Sequence, residues 1–155
     1  MIYDISAARY KAEATAVRQR PIAREKREKG QCVSKERLVA VIDDDEPFRM
    51  ALVDSLDSLG YDARGFASAE EFVANDWKSW CDCVITDIHM PGMSGFDLKQ
   101  LLTSRDSNVP VIMITARADP GLEARAAAAG VVCLLRKPFE STALIDCLDR
   151  ALPIS

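Results

Sequence analysis

Several polar side chains stand where apolar runs stop. LVAVI (38–42) gives way to Asp43, Asp44 and Asp45; CVIT (83–86) stops at Asp87 and turns through Pro91 and Gly92; VIMI ends in Thr115; VVCLL is followed by Arg136 and Lys137. On the segment VITDIHMPGMSG (84–95) alone, two readings of Asp87 stand, because Asp is also common where strands yield to loops and its carboxylate satisfies nearby backbone N–H groups. The set is more informative than any member. Two carboxylates about 4 to 5 Å apart repel by roughly 3 to 4 kcal/mol at an effective dielectric near 20, so a cluster of three needs a cation. Hard oxygen donors with little nitrogen or sulfur nearby favour Mg²⁺. A metal alone accounts for the acids; Thr115 and Lys137 add a hydroxyl donor and a mobile ammonium, which suit a phosphoryl group. Transfer of a phosphoryl group onto one carboxylate, with Mg²⁺ and Lys137 neutralising the charge, is the chemistry that uses them all.

That reading requires elements that bring these segments to one edge. From residue 38 the chain alternates between two periods. Strands are expected at 38–43, 61–66, 83–87, 109–115 and 131–135. A helix follows the first strand with Phe48, Leu52, Leu56 and Leu59 inward and Gly60 closing it. The second has Ser68 as N-cap and Glu71 completing a capping box. The third is capped by Ser94 and carries Phe96, Leu98, Leu101 and Leu102. The fourth has Asp119 as N-cap and Pro120 as first helical residue, with Gly130 ending the Ala-rich stretch 122–129. The last runs from about 140 to 151 with Leu144, Ile145, Leu148 and Ala151 inward. Five strands alternating with five helices imply an α/β fold with a doubly wound parallel sheet, of flavodoxin-like order 2-1-3-4-5, whose ligands sit beyond the carboxyl ends of the strands. The more polar second strand is expected at an edge, and the four apolar ones read as covered on both faces.

Composition agrees with one globular domain: 155 residues, 48% hydrophobic and 28% charged. No run approaches the ~18 apolar residues of a membrane span, and no secretory block opens the chain, so a cytoplasmic protein is expected. The five cysteines (Cys32, Cys81, Cys83, Cys133, Cys147) are odd in number and include no C-x-x-C pair, which reads as reduced, mostly structural thiols. The net charge of −4 hides a division. Residues 1–37 hold 10 Lys+Arg against 5 Asp+Glu, and residues 38–155 hold 10 against 19. Residues 1–37 are expected to be a basic extension, flexible or partly helical, preceding a domain at 38–155. The acidic body argues against direct binding to nucleic acid.

VIDDDEP, VITDIHMPGMSG, VIMITAR and LLRKPF, in this order and spacing, resemble the response-regulator receiver domains of two-component signalling, the CheY-like family, over residues 38 to about 151. The resemblance implies that Asp87 accepts a phosphoryl group from a histidine kinase or phosphotransfer protein. It implies that Asp44 and Asp87 bind Mg²⁺ directly, that Asp43 helps through water, and that the His89 backbone carbonyl completes the set. Thr115 and the Ala116 N–H would hold phosphoryl oxygens, Lys137 would pair with them, and His89 and Arg117 would tune phosphate lifetime. It also implies a cis bond before Pro138. The protein would catalyse only its own phosphorylation and dephosphorylation, and would not be an enzyme acting on other substrates. Asp45 and Glu46 read as solvated charge. The family usually places an aromatic residue three positions before the lysine; here that switch position is Leu134, which lacks the ring that would swing inward when Thr115 moves.

A haloacid-dehalogenase-type phosphohydrolase would need a second Asp two residues after the nucleophile, where His89 stands, and is the distant alternative. No P-loop or dinucleotide fingerprint occurs. With four residues after Ala151, the chain reads as a stand-alone receiver or as the receiver piece of a longer DNA-binding transcription regulator. Its output is expected to leave through residues 120–151, to a protein partner or a second copy, with no membrane involved.

Overall fold

The computed structural model describes residues 37–153. The expected extension at 1–37 thus lies outside the described residues except for Arg37. Five strands, β1 (Leu38–Ile42), β2 (Asp62–Phe66), β3 (Cys83–Asp87), β4 (Val111–Thr115) and β5 (Cys133–Arg136), form one parallel sheet of order β2-β1-β3-β4-β5. Helices α1 (Glu46–Ser58), α2 (Ala69–Val73), α3 (Gly95–Ser104), α4 (Leu122–Ala128) and α5 (Ser141–Ala151) make the crossovers.

Alternation along the strands divides the core in two. Leu38, Ala40, Ile42, Val84 and Met113 face one side, where they pack with Phe72, Leu98, Leu102 and Leu122. Val39, Val41, Ile85, Ile112 and Ile114 face the other, with Leu52, Leu56, Leu144 and Leu148. All residues of β1, β3 and β4 are buried, the condition that demands continuous apolar runs ending abruptly in polar residues. β2 is an edge, as its polarity indicated. β5 is the other edge: Leu134 is half-buried and Arg136 exposed, so its apolar run does not mean full cover.

The caps at the site's end of the sheet fix the loops. Ser94 accepts the Asp97 N–H at 3.1 Å and Asp97 returns a bond to the Ser94 N–H, a full capping box. At α2, Ser68 accepts the Glu71 N–H at 3.0 Å, but the Glu71 carboxylate takes the Ala67 N–H instead of that of Ser68. The peptide bond before Pro138 is cis, as the resemblance implied.

Three local expectations differ, and one short element was not expected. α4 starts at Leu122, not Pro120, because Gly121 has φ 77° and the left-handed turn breaks the register that Asp119 would have capped. Leu59 is 41% exposed: α1 ends at Ser58, and Leu59 occupies its C-cap while the chain turns out through Gly60. A short 3₁₀ turn, Trp77–Ser79, lies between α2 and β3 and packs Trp77 and Trp80 against Phe72. Finally, Cys133 and Cys147 form a disulfide between β5 and α5, with Cα atoms 5.8 Å apart, so the expectation of reduced thiols fails for this pair. Its two members lie 14 residues apart, a pairing that only the packing of α5 on β5 reveals. Cys81 and Cys83 are buried thiols outside this disulfide.

Candidate functional site

Beyond the carboxyl ends of β1, β3 and β5, carboxylate oxygens of Asp43, Asp44 and Asp87 lie within 4.8 Å of one another. Asp43 and Asp87 are buried and Asp44 is exposed, which leaves the cluster open to solvent on one side. The Lys137 ammonium donates to Asp43 Oδ2 at 2.9 Å and stands 3.9 Å from Asp87 Oδ2. At an effective dielectric of 20, each pair of anions at this separation repels by roughly 3 kcal/mol. Three carboxylates facing one ammonium therefore leave uncompensated negative charge. The effect is visible on Asp87, whose carboxyl is pushed up to about 6, first by burial and then by the Asp43 charge, against the lowering pull of Lys137.

The first turn of α1 holds this cluster rigid. Asp43 Oδ1 accepts the Asp45 N–H at 2.9 Å, and the Asp43 carbonyl accepts from the Arg49 guanidinium at 2.7 Å. Asp45, read from sequence as solvated charge, is the N-cap of α1 and accepts the Phe48 N–H at 3.4 Å. Gly95 starts α3 so close to the end of β3 that a Cβ would stand 2.7 Å from the Asp87 carbonyl oxygen. The Gly95 N–H also donates to the Ile88 carbonyl at 3.0 Å. The capping box thus seats α3 directly on Asp87 and Ile88.

Thr115 is fully buried at the end of β4, beside the exposed Ala116. Its Oγ1 accepts the Arg117 N–H at 3.0 Å and lies 3.4 Å from His89 Nδ1. The other nitrogen of that ring, Nε2, is 3.4 Å from Asp119 Oδ2. The structure therefore brings Asp43, Asp44, Asp87 and Lys137 together, while the Thr115 hydroxyl is engaged with the β3–α3 and β4–α4 loops. The Thr115 carbonyl accepts the Lys137 N–H at 2.8 Å, which joins the two segments through backbone. Leu134, half-buried on β5, pairs in register with Met113.

Sequence reasoning missed the links that orient these groups: Asp45 and Arg49 on Asp43, Asp119 on His89, Gly95 under Asp87, and the ring of Phe48, 4.1 Å from Lys137 Nζ. The S-G pair at 94–95 was a readable sign of close approach; the others depend on tertiary placement.

A carboxylate cluster with an ammonium at the strand ends of a 2-1-3-4-5 sheet has relatives. The family model "Response regulator receiver domain" matches residues 39–149. Over 116 residues, 75% of this chain, the sequence is 38% identical to the C4-dicarboxylate transport transcriptional regulatory protein DctD of Pseudomonas aeruginosa, of which it covers 25%. It is 36% identical over 113 residues, 73% of this chain, to the transcriptional regulatory protein FixJ of Rhizobium meliloti, covering 55% of that protein. The chain thus spans a quarter to about half the length of these relatives. The crystal structure of a response regulator receiver protein from Burkholderia phymatum superposes with a TM-score of 0.68 at 37% identity, covering 77% of this chain and 98% of that one. The chain belongs to the response-regulator receiver-domain family.

Proposed function

We propose that this receiver takes a phosphoryl group from a histidine kinase or phosphotransfer protein onto Asp87, and passes the signal on by conformational change. The observation that carries the reading is the cluster of Asp43, Asp44 and Asp87 within 4.8 Å, with Lys137 between Asp43 and Asp87. Its oxygen-only donors and excess negative charge fit a hard divalent cation, Mg²⁺. Asp44, Asp87 and the His89 carbonyl would hold that ion, with Asp43 acting through water. When bound, Mg²⁺ supplies positive charge that draws the anionic donor in and offsets charge on the transferring group.

The chain's own residues carry the rest. Asp87 acts as the carboxylate nucleophile: one Oδ forms the new P–O bond while the P–N bond of the donor phosphohistidine breaks. The released electron pair stays on the donor ring nitrogen, which takes up one proton and leaves as neutral imidazole. Lys137 has a short path from Asp43 to the new phosphoryl oxygens. The Ala116 N–H and the Thr115 hydroxyl complete their partners, the latter after leaving His89 and the Arg117 amide. Dephosphorylation is attack of water on the phosphorus, timed by His89 and Arg117. A P–O bond to the water oxygen forms, the bond from phosphorus to Asp87 Oδ breaks and the Asp87 carboxylate is restored. Inorganic phosphate leaves, with the water's proton passed to solvent. The domain acts only on its own phosphoryl group.

Incubation of the chain with acetyl phosphate and Mg²⁺ should add one phosphoryl mass that hydroxylamine removes. Asp87→Ala should abolish the adduct; an unchanged adduct would rule Asp87 out as acceptor. The protein is placed in the cytoplasm by this reading, with a protein partner or a second copy meeting residues 120–151. A second reading, as the receiver module of a longer transcription regulator, is favoured by relatives that are transcriptional regulators and exceed the chain in length. In either case the acidic receiver itself contacts no nucleic acid.

A further inference from the structure

Lys137 has a long, rotamer-rich side chain, and its usefulness depends on staying over the carboxylate cluster. Two carboxylates, Asp43 at 2.9 Å and Asp87 at 3.9 Å, attract its ammonium. The ammonium also stands over the ring of Phe48, whose centroid is 4.1 Å from Nζ, well inside the ~6 Å at which an aromatic face attracts a cation. We infer that Phe48 is a positioning residue for phosphoryl transfer, holding the Lys137 ammonium over Asp43 and Asp87; the inference rests on the reading of Asp87 as acceptor.

Three observations support a built arrangement. Phe48 lies in the first turn of α1, where Pro47 and the Asp45 cap fix the backbone, and where Asp45 and Arg49 are in turn bonded to Asp43. The ring is therefore tied to the same carboxylate that Lys137 contacts. It is braced by Phe139, two residues beyond Lys137, with centroids 6.1 Å apart and planes at 83°. The Lys137 side chain is only 16% exposed, so the ring replaces water that would otherwise solvate the ammonium and let it wander. DDDEPF, residues 43–48, thus supplies both the acids and the lysine's aromatic rest in one hexapeptide. An aliphatic side chain would fill the space but lacks the negative ring face.

The test uses the full chain and the variants Phe48→Leu and Phe48→Tyr. The ε-methylene protons of Lys137 should resonate upfield in the wild type through the ring current, return toward ordinary lysine values in the Leu variant, and stay upfield in the Tyr variant. Labelling by acetyl phosphate at saturating Mg²⁺ should fall about three- to tenfold in the Leu variant, the fold-change expected of a partly desolvated cation–π contact, and recover in the Tyr variant. Mg²⁺ affinity should stay within about twofold throughout. Wild-type labelling by the Leu variant, a Tyr variant no faster than Leu, or Mg²⁺ affinity falling in parallel with labelling would each overturn the inference. So would an unshifted ε-methylene in the wild type, a measurement that needs no variant to fold. A wild-type chain that accepts no phosphoryl group would instead overturn the reading of Asp87.

Discussion

Asp87→Asn should stabilise the metal-free protein, and only above acidic pH. The substitution keeps shape and removes a charge that burial and Asp43 disfavour. The Asp87 carboxyl stands at about 6 in the folded chain against an ordinary 3.8. About two units at 1.36 kcal/mol each give roughly 3 kcal/mol, an order-of-magnitude figure. Between pH 3.8 and about 6 the folded chain binds this proton more tightly than the unfolded chain. Stability from this group therefore falls as pH rises through that window and stays low above it. Asn does not titrate, so the variant should equal the wild type near pH 4 and exceed it by about 2 to 3 kcal/mol at pH 8. Urea unfolding of both proteins with a chelator, from pH 4.5 to 8, reads this directly. The difference between the two curves removes the slopes of all other carboxylates. Mg²⁺ should then close the gap by binding the wild-type cluster in its folded form. A difference that stays constant with pH, or favours the wild type at pH 8 without metal, would refute the electrostatic account of the site.

Other consequences follow from single contacts. Gly95→Ala forces a Cβ to 2.7 Å from the Asp87 carbonyl, where only backbone can give way; unfolding should show a loss of about 1 to 3 kcal/mol, and acetyl phosphate labelling should slow. Cys147→Ser opens the disulfide that closes the 14-residue separation between β5 and α5, and should lower stability by about 2 to 4 kcal/mol under non-reducing conditions and by nothing comparable under reductant. Beryllofluoride, a phosphoryl mimic, should shift amide NMR signals mainly from Thr115 to Leu148, since the Thr115 hydroxyl must leave His89 and the Arg117 amide to reach the acceptor; shifts confined to α1 would reject that route.

Legibility in the sequence followed how local each cause is. The sheet order and the apolar strands could be read because burial on both faces imposes continuous runs, and Ser68 and Ser94 because caps act within three residues. The convergence of Asp43, Asp44, Asp87 and Lys137 was legible because parallel strands deliver their ends to one edge. Features set by tertiary placement were not. Asp119 looked like a cap by spacing, but Gly121 turns left-handed and the carboxylate reaches His89 instead. Leu59 fitted the inward stripe of α1 and lies one residue past its end. Leu134 fitted a covered strand, whereas β5 is an edge. Cys133 and Cys147 meet only because α5 lies on the face of β5 that carries Cys133.

On the proposed function, the charge imbalance at the strand ends would also make the site responsive. A cluster with matched charges would be more stable and would gain little from a new anion or cation. Here Lys137 is shared unequally, 2.9 Å from Asp43 and 3.9 Å from Asp87, so a phosphoryl group on Asp87 can draw it across without first breaking a fully formed pair at the acceptor. The Thr115 hydroxyl accepts the Arg117 N–H at 3.0 Å and makes longer contacts of 3.3 Å to the Arg117 carbonyl and 3.4 Å to His89 Nδ1, which a group carrying ~−1.5 to −2 charge would have to outcompete. Both moves pull on the segment from β4 to β5, because the Thr115 carbonyl and the Lys137 amide share one hydrogen bond. Leu134 lies within that segment, three residues before the lysine. On the proposed function, with no aromatic ring at Leu134 to swing inward, phosphorylation would reach the surface by backbone displacement of β4, β5 and the adjoining α4, a change expected to be modest in extent with the two states close in energy.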